Sequence, residues 1–259
     1  MDAPVAYLSQ DLHPCRFDWG RDGVRRAANR NDIVVIVDVL RFSTAVVAAL
    51  QHGAMIYPCA STDDIALLAR GARADIAAYR RKMVATHRYS LSPASYDHVS
   101  PGARIVLPSP NGALCSRYGQ DAPYLFVGAL VNAAAVGAAV TALSRQTHLA
   151  VTVIACGERW PTAGEDGELR VALEDYLGAG AILARVPLDK SPKAQVCALS
   201  FRAGQEQLRG LLLDSSSGRE LRHKGWGADI DRAAQLDCYE VVPVLRGDHF
   251  EPFVLAASQ

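Results

Sequence analysis

Residues 32–44 constrain the fold more than any other stretch of the chain, and they read DIVVIVDVLRFST. The unbroken apolar run at 33–37 is typical of a strand that is buried on both faces of a parallel sheet. Polar side chains follow the run at once: Asp38, Arg41, Ser43 and Thr44. Because open α/β sheets bind ligands where such strands end, this turn is a candidate site for a phosphorylated or otherwise anionic small molecule.

Apolar runs alternate with alanine-rich stretches along most of the chain. The runs predict strands at 5–8, 33–37, 55–59, 104–107, 124–127, 149–155, 240–245 and 250–254. The other stretches predict helices at 44–52, 62–70, 112–117, 132–143, 169–185, 192–213 and 218–223. This alternation predicts a three-layer α/β/α fold with a largely parallel or mixed central sheet. The last two strands would form a hairpin at the sheet edge, turning at Gly247 and Asp248.

The chain of 259 residues has no stretch typical of an interdomain linker, so we expect a single α/β domain over 1–259. A boundary at 188–192 is the alternative. Residues 80–100 lack a clear period and predict a long surface loop, for which a functional flap and an excursion without a role are equally open.

Composition excludes several classes of protein. Basic and acidic residues balance at 27 each, whereas nucleic-acid binding depends on an excess of positive charge. No apolar run approaches the length of about 20 residues that spans a bilayer, and residues 1–10 do not resemble a signal peptide. We therefore expect a cytoplasmic protein without nucleic-acid or membrane partners.

Polar residues follow four of the predicted strands. The clusters are Asp38 and Arg41; Ser109, Asn111 and Gly112; Gly128 and Asn132; and Gly157, Glu158 and Arg159. If the strands are parallel, all four clusters lie at the same edge of the sheet. Each cluster alone has a plain structural explanation, since Asn111 can cap a helix and Asp38 can be a buried, hydrogen-bonded carboxylate. Together they predict a site.

The chemistry of these residues suits a phosphoester. Arg41 can bind a phosphate, sulfonate or carboxylate with two parallel hydrogen bonds, and the helix starts near Ser43 and Asn111 offer N–H groups. A helix terminus contributes only about 0.3–1 kcal/mol, whereas hydrolysis of a phosphate monoester needs a barrier reduction of roughly 20 kcal/mol. A divalent cation supplies several kcal/mol more, and Mg²⁺ prefers carboxylate and water ligands. The candidate ligands are Asp38, Glu158, Glu174 and Asp175.

Several of the acidic residues could also have purely structural roles. Glu174 and Asp175 could lie on a solvated helix face, but the small residues that follow them favour close packing on the sheet. For Asp229, Asp231 and Asp237, which surround a predicted turn and short helix, we expect solvated or capping roles.

An ordered set of motifs covers nearly the whole chain. It comprises VDVLRFST (37–44), SPNG (109–112), VGALVNA (127–133), CGER (156–159), LEDYLGAGAI (173–182), SSGREL (216–221), Asp229-Ile230 and VVPVL (241–245). The set resembles the 2-phosphosulfolactate phosphatase family. The resemblance implies a three-layer α/β/α fold and a magnesium-dependent hydrolase. The implied reaction removes phosphate from 2-phospho-3-sulfolactate on the route to coenzyme M.

On this basis we expect water to attack the phosphoester with the help of a cation. The cation would be held by Asp38, with Glu158 or the Glu174–Asp175 pair, and Arg41 would bind the phosphate or sulfonate. Substrate contacts are expected from Arg41, Ser43, Thr44, Asn111, Gly112, Asn132 and Arg159. A homodimer is compatible with an enzyme of this type.

The resemblance has one departure. Members of the family usually have Gly-Glu-Arg and a glycine-rich stretch before Asn-Ser-Pro, whereas this chain has Ala-Ala-Tyr-Arg-Arg-Lys at 77–82 and Leu-Ser-Pro at 91–93. The chain could therefore act on a different substrate from the rest of the family. Arg81 and Lys82 would favour a substrate with more negative charge if this segment lines the site. Two further alternatives are a non-catalytic anion-binding homologue and a haloacid-dehalogenase-like phosphatase with Asp38 as nucleophile. The second normally has another Asp at position 40, where this chain has Leu.

Overall fold

The fold is built on a mixed sheet in the computed structural model, which describes residues 9–79, 83, 86–160 and 167–255. In chain order the strands are β1 Cys15–Trp19, β2 Ile33–Val37, β3 Met55–Cys59, β4 Asp75–Ile76, β5 Arg104–Pro108, β6 Tyr124–Gly128, β7 Val151–Ala155, β8 Glu158–Arg159, β9 Leu169–Arg170, β10 Pro243–Arg246 and β11 His249–Pro252. Strands β8 and β9 form a separate two-stranded ribbon. The strand predicted at 5–8 lies outside the described residues, as do Arg81 and Lys82.

The sheet contains two groups of parallel strands with a hairpin between them. Its order is β1-β7-β2-β6-β10-β11-β3-β5-β4. Strands β1, β7, β2 and β6 are parallel, and so are β3, β5 and β4. The pairings β6–β10, β10–β11 and β11–β3 are antiparallel, so the second group runs opposite to the first. The C-terminal hairpin is confirmed, but its predicted position at the sheet edge is wrong because it joins the two groups.

Helices cover both faces of this sheet. They are α1 Gly20–Asn29, α2 Phe42–Gln51, α3 Ile65–Ala72, α4 Gly112–Tyr118, α5 Ala133–Thr147, α6 Leu173–Leu183, α7 Pro192–Gly204, α8 Leu208–Asp214, α9 Ser216–His223 and α10 Gly227–Ala233. Within the described ranges, none has the length and apolar character that a bilayer crossing requires.

The side chains of β2 alternate between two cores, as expected for a strand buried on both faces. Ile33, Val35 and Val37 pack in the core that contains residues of α5 to α10. Val34 and Ile36 pack in the opposite core, with residues of α1, α2 and α4. The predicted three-layer α/β/α fold with a mixed sheet is therefore confirmed.

The structure differs from the sequence interpretation in several local features. The sequence interpretation missed β1, in which charged Arg16 and Asp18 alternate with apolar residues. The helix predicted at 192–213 is divided into α7 and α8, and the one predicted at 169–185 begins only at Leu173. The segment predicted as a surface loop is partly core, since Tyr89 and Tyr96 are buried with their rings stacked 5.7 Å apart.

Candidate active site

The turn that follows β2 is held by its own hydroxyl groups. The backbone N–H of Asp38 donates to Ser43 Oγ at 2.9 Å, and the N–H of Ser43 donates to the Asp38 carbonyl at 2.7 Å. The Thr44 hydroxyl donates to the Val39 carbonyl at 2.8 Å. Ser43 and Thr44 are fully buried. Their hydroxyls thus stabilise the turn, and the structure does not bring them to an accessible surface.

The start of α4 lies against this turn. Asp38 Oδ2 accepts a hydrogen bond from the Gly112 N–H at 2.9 Å, and Oδ1 accepts one from the Phe42 N–H at 3.3 Å. The prediction of a shared sheet edge is wrong for this cluster, because β5 runs opposite to β2. The two turns meet because α4 packs back against β2 and β3.

Two further contacts join the turn after β7 to the same place. The Asn111 amide donates to Glu158 Oε2 at 2.9 Å, and it does not cap α4. Asp175, in the first turn of α6, accepts from the Val39 N–H at 2.8 Å and from the Gly157 N–H at 2.9 Å. Asp175 therefore connects the turns after β2 and β7. These bonds bring Asp38, Asn111, Gly112, Glu158 and Asp175 together, as predicted.

The acids of this group, which we call the acid cluster (Asp38, Glu158, Glu174 and Asp175), repel one another. Burial, together with the Glu174 carboxylate, raises the pKa of Asp38 to about 6. Burial and the Asp38 carboxylate raise the pKa of Glu158 to about 7. The pKa of Asp175 lies well above its usual range because the group is buried and faces Asp38 and Glu174. Glu174 is also buried, so the alternative of a solvated helix face is excluded and the predicted close packing of α6 is confirmed.

A cavity of about 430 Å³ lies next to the acid cluster. Arg41 and Lys224 are the basic residues of its described lining, which also includes Tyr79, Ser109 and Trp226. The Gly112 N–H that donates to Asp38 also approaches Ser109 Oγ, at 3.2 Å. Because Ser109 lines the cavity, this shared N–H connects the cavity wall with the acid cluster.

Arg41 is fixed by contacts on two sides. Its Nη1 donates to Asp229 Oδ2 at 2.7 Å, and its guanidinium carbon lies 5.2 Å from the centre of the Trp226 ring. Asp229 is only 3% exposed, so the expectation of a solvated role for it is wrong. A signal was present in the sequence, because Asp229 and Ala233 are four positions apart and share the buried face of α10. Lys224 and Trp226 carried no comparable signal.

Two predicted substrate contacts lie elsewhere. Asn132 is fully buried, where its amide oxygen accepts from the Ala129 N–H at 2.9 Å and its amide nitrogen donates to the Val241 carbonyl at 2.9 Å. These are the contacts of a structural residue, and the structure does not bring Asn132 to the cavity. Arg159 lies on β8 beside Glu158 and donates to the Gly167 carbonyl at 3.3 Å.

The acid cluster suits magnesium in its chemistry. Within the ranges that the structure describes, no three His, Cys, Asp or Glu side chains are arranged to hold a metal ion. Magnesium, however, commonly binds through one or two carboxylates and completes its shell with waters and substrate phosphates. The cluster offers such oxygen donors, and a cation would reduce the repulsion that helps to raise the pKa values of Asp38, Glu158 and Asp175.

Buried carboxylates beside a cavity with Arg41 in its lining, on a mixed α/β sheet, are typical of enzymes that act on small anionic substrates. A comparison with known protein families identifies the family of enzymes to which the chain belongs. The family model of 2-phosphosulpholactate phosphatase matches residues 21–248. The chain therefore belongs to this family of phosphoric monoester hydrolases, which confirms the resemblance seen in the motifs.

Similar proteins in several bacteria support the same assignment. A probable 2-phosphosulfolactate phosphatase of Deinococcus radiodurans is 31% identical over 229 residues, which cover 83% of this chain and 88% of the relative. Proteins with the same description in Thermosynechococcus vestitus and Carboxydothermus hydrogenoformans are 30% and 29% identical, over 82% and 81% of this chain and 88% and 84% of the relatives.

Proposed function

We propose that the chain is a magnesium-dependent phosphatase that hydrolyses 2-phosphosulfolactate to sulfolactate and phosphate. The observation that carries the proposal is the connection between the acid cluster and the cavity lined by Arg41, made through the N–H of Gly112. The names of the relatives support the substrate. Its product would serve the route to coenzyme M.

Arg41 and Lys224 would bind the anionic groups of the substrate. A guanidinium has five N–H donors in a rigid plane, and Asp229 engages Nη1 of Arg41. The remaining donors can form paired hydrogen bonds with phosphate or sulfonate oxygens. Lys224 adds a second positive charge to the lining of the same cavity.

Asp38 would hold the magnesium ion together with one further carboxylate of the acid cluster, from Glu158 or Glu174, and waters and the substrate phosphate would complete its shell. When bound, the ion polarises the phosphoryl group and makes a bound water a better nucleophile. The Asn111 amide holds the Glu158 carboxylate in place, and Asp175 fixes the two turns that carry Asp38 and Glu158. Asp38 accepts hydrogen bonds on both oxygens and is not among the described residues that line the cavity. These contacts do not favour it as a nucleophile.

Phosphate release from a panel of small phosphoesters tests this proposal. We expect release from 2-phosphosulfolactate with Mg²⁺, and almost none with a chelator or in Asp38→Asn. Asp231→Asn is a suitable control, because Asp231 is half exposed and paired with Arg209 on the far side of α10. Folded protein that releases no phosphate from any ester with Mg²⁺ would contradict the proposal. Calorimetric binding of sulfolactate by such inactive protein would favour the anion-binding alternative.

The single-domain organisation, the cytoplasmic location and the homodimer stay predictions.

A further inference from the structure

We propose that Asp229 is a positioning residue, which holds the guanidinium of Arg41 in the orientation that binds the anionic group of the substrate. The inference rests on the proposed function, since it assumes that Arg41 binds that group. It adds to the site a residue for which the sequence predicted a solvated or capping role.

The contact between the two residues is short and shielded from water. Arg41 and Asp229 are separated by 188 positions in the chain, and their ion pair measures 2.7 Å. Their side chains are 17% and 4% exposed. A charge-assisted bond of this kind is stronger than one on a wet surface, so it fixes one end of the guanidinium.

Asp229 is itself held by a second bond. The Ser92 hydroxyl donates to Asp229 Oδ1 at 2.5 Å, so both carboxylate oxygens are engaged. The guanidinium carbon of Arg41 lies over the ring of Trp226, three residues before Asp229. The carboxylate therefore cannot turn without losing the bond from Ser92, and the guanidinium is in contact with Asp229 and with the indole.

This arrangement reduces the conformational entropy that the Arg41 side chain loses when the substrate binds. An arginine side chain that is free in solution loses rotamer freedom when it closes on an anion, and the loss lowers affinity. Arg41 lines the cavity, and Asp229 and Trp226 already hold its guanidinium before the substrate arrives. Asp229 also lowers the local positive charge, so its contribution is to geometry and not to charge.

A double-mutant cycle with inorganic phosphate as the probe tests the inference. Calorimetry would measure phosphate binding to the wild-type protein, to Asp229→Asn, Arg41→Ala and the double variant, and to Asp231→Asn as the control on the same helix. We expect Asp229→Asn to weaken binding about tenfold, because the guanidinium must then be ordered when phosphate binds. In the Arg41→Ala background the same change should have no further effect, and Asp231→Asn should bind like the wild-type protein.

A structural role without positioning gives a different pattern. Equal weakening by Asp229→Asn with and without Arg41 would overturn the inference, as would unchanged binding in Asp229→Asn or no phosphate binding by the wild-type protein. Removing one partner of a buried ion pair is strongly destabilising, so Asp229→Asn could fail to fold. Ser92→Ala is therefore the second variant, because it removes the bond that holds Asp229 and keeps the ion pair. It should weaken phosphate binding about threefold, again only when Arg41 is present. Because this readout needs no turnover, a failure of phosphate release would be distinguishable from a failure of positioning.

Discussion

At Gly112 the backbone N–H of α4 approaches the Asp38 carboxylate to 2.9 Å. A Cβ atom at this position would lie 2.2 Å from a ring carbon of Phe42 and 2.9 Å from Asp38 Oδ2. Glycine is therefore required where the acid cluster meets the cavity wall. The residue acts through its missing side chain, which lets α4 and the turn after β2 come into contact.

Substitution of Gly112 by alanine should destabilise the protein by about 2 kcal/mol or more, because Phe42 must shift in a packed core. The same change should reduce phosphate release by displacing Asp38. Gly210→Ala is the matched control, since nothing lies within 4 Å of a Cβ there. It should raise the free energy of unfolding by about 0.5–1 kcal/mol. Urea denaturation of both variants checks the pair, and a Gly112→Ala protein of wild-type stability would contradict the account.

Asn132 allows a test that separates structure from substrate binding. Asn132→Ala should lower the free energy of unfolding by about 1–3 kcal/mol, because it leaves the Ala129 N–H and the Val241 carbonyl without their partner. It should leave KM unchanged. Ser200→Ala, which removes an exposed bond within α7, is the control for stability. A raised KM in Asn132→Ala would show that the residue contacts substrate after all.

At the scale of elements, the acid cluster draws on three of them. Asp38 follows β2, Glu158 lies on β8, and Glu174 and Asp175 lie in the first turn of α6. The folded chain holds these carboxylates in a buried place, whereas the unfolded chain exposes them to water. The pKa values of Asp38, Glu158 and Asp175 therefore differ between the two states, which makes stability depend on pH.

The sign of this dependence follows from the raised pKa values of about 6 for Asp38 and about 7 for Glu158. Between about pH 4 and pH 7 the folded state binds more protons than the unfolded state, so stability falls as pH rises. With a chelator present, we expect the protein to lose on the order of 4 kcal/mol between pH 5 and pH 8 from these two groups, since each pKa unit corresponds to about 1.4 kcal/mol. Mg²⁺ at pH 8 should restore the loss.

Glu158→Gln should reduce this loss, because the amide cannot ionise but can still accept from Asn111. Glu206→Gln, at an exposed position in the turn between α7 and α8, should leave it unchanged. Denaturation curves at the two pH values supply the comparison. The explanation would be wrong if the chelated wild-type protein and the Glu158→Gln variant had the same pH dependence.

Elements with a strong local signal could be predicted from the sequence. The apolar run of β2 indicates a strand and the alanine-rich start of α5 indicates a helix, and neither signal depends on contacts with distant parts of the chain. The hairpin β10–β11 was predicted, but its place was not, because alternating His249, Phe250 and Glu251 resemble an edge strand. Pairing in the middle of a sheet depends on distant strands, and no local pattern encodes it. Strand β1 was missed because it contains charged residues, which are uncommon in a buried strand. The ion pair of Arg16 with Asp32, which allows the burial of Arg16, is also a distant contact.

On the scale of the whole molecule, the C-terminal hairpin joins two oppositely directed groups of strands. Phe250 on β11 is fully buried, and its ring lies 6.3 Å from that of Phe42 at the start of α2. The hairpin thus supports the helix that follows the Asp38 turn. Loss of this packing should weaken the whole sheet and not only its C-terminal part.

Phe250→Ala should therefore destabilise the protein by about 3–5 kcal/mol, as truncation of a buried aromatic residue does. Val254→Ala is the control, because Val254 is 83% exposed, and it should change stability by less than about 0.5 kcal/mol. Thermal and urea denaturation followed by circular dichroism would compare the two. A small effect of Phe250→Ala would show that the two groups of strands do not depend on the hairpin.

Only part of the site could be predicted from the sequence, namely the polar residues that follow buried strands. Asp38, Asn111 and Glu158 were found because each comes directly after a strand or at a helix start. The partner of Arg41 could not be found in this way, since Asp229 approaches it from a helix near the other end of the chain. Asn132 matched the pattern of a strand-end ligand, but its amide ties the end of β6 to residue Val241.

A crystal structure with Mg²⁺ and sulfolactate tests the central claim most directly, namely that the acid cluster and the Arg41 cavity form one site. We predict a cation within about 2.0–2.1 Å of carboxylate oxygens of the cluster, and a sulfonate or carboxylate group hydrogen-bonded to Arg41. A cation and a sulfolactate bound elsewhere, with Asp38 and Arg41 contacting neither, would contradict it.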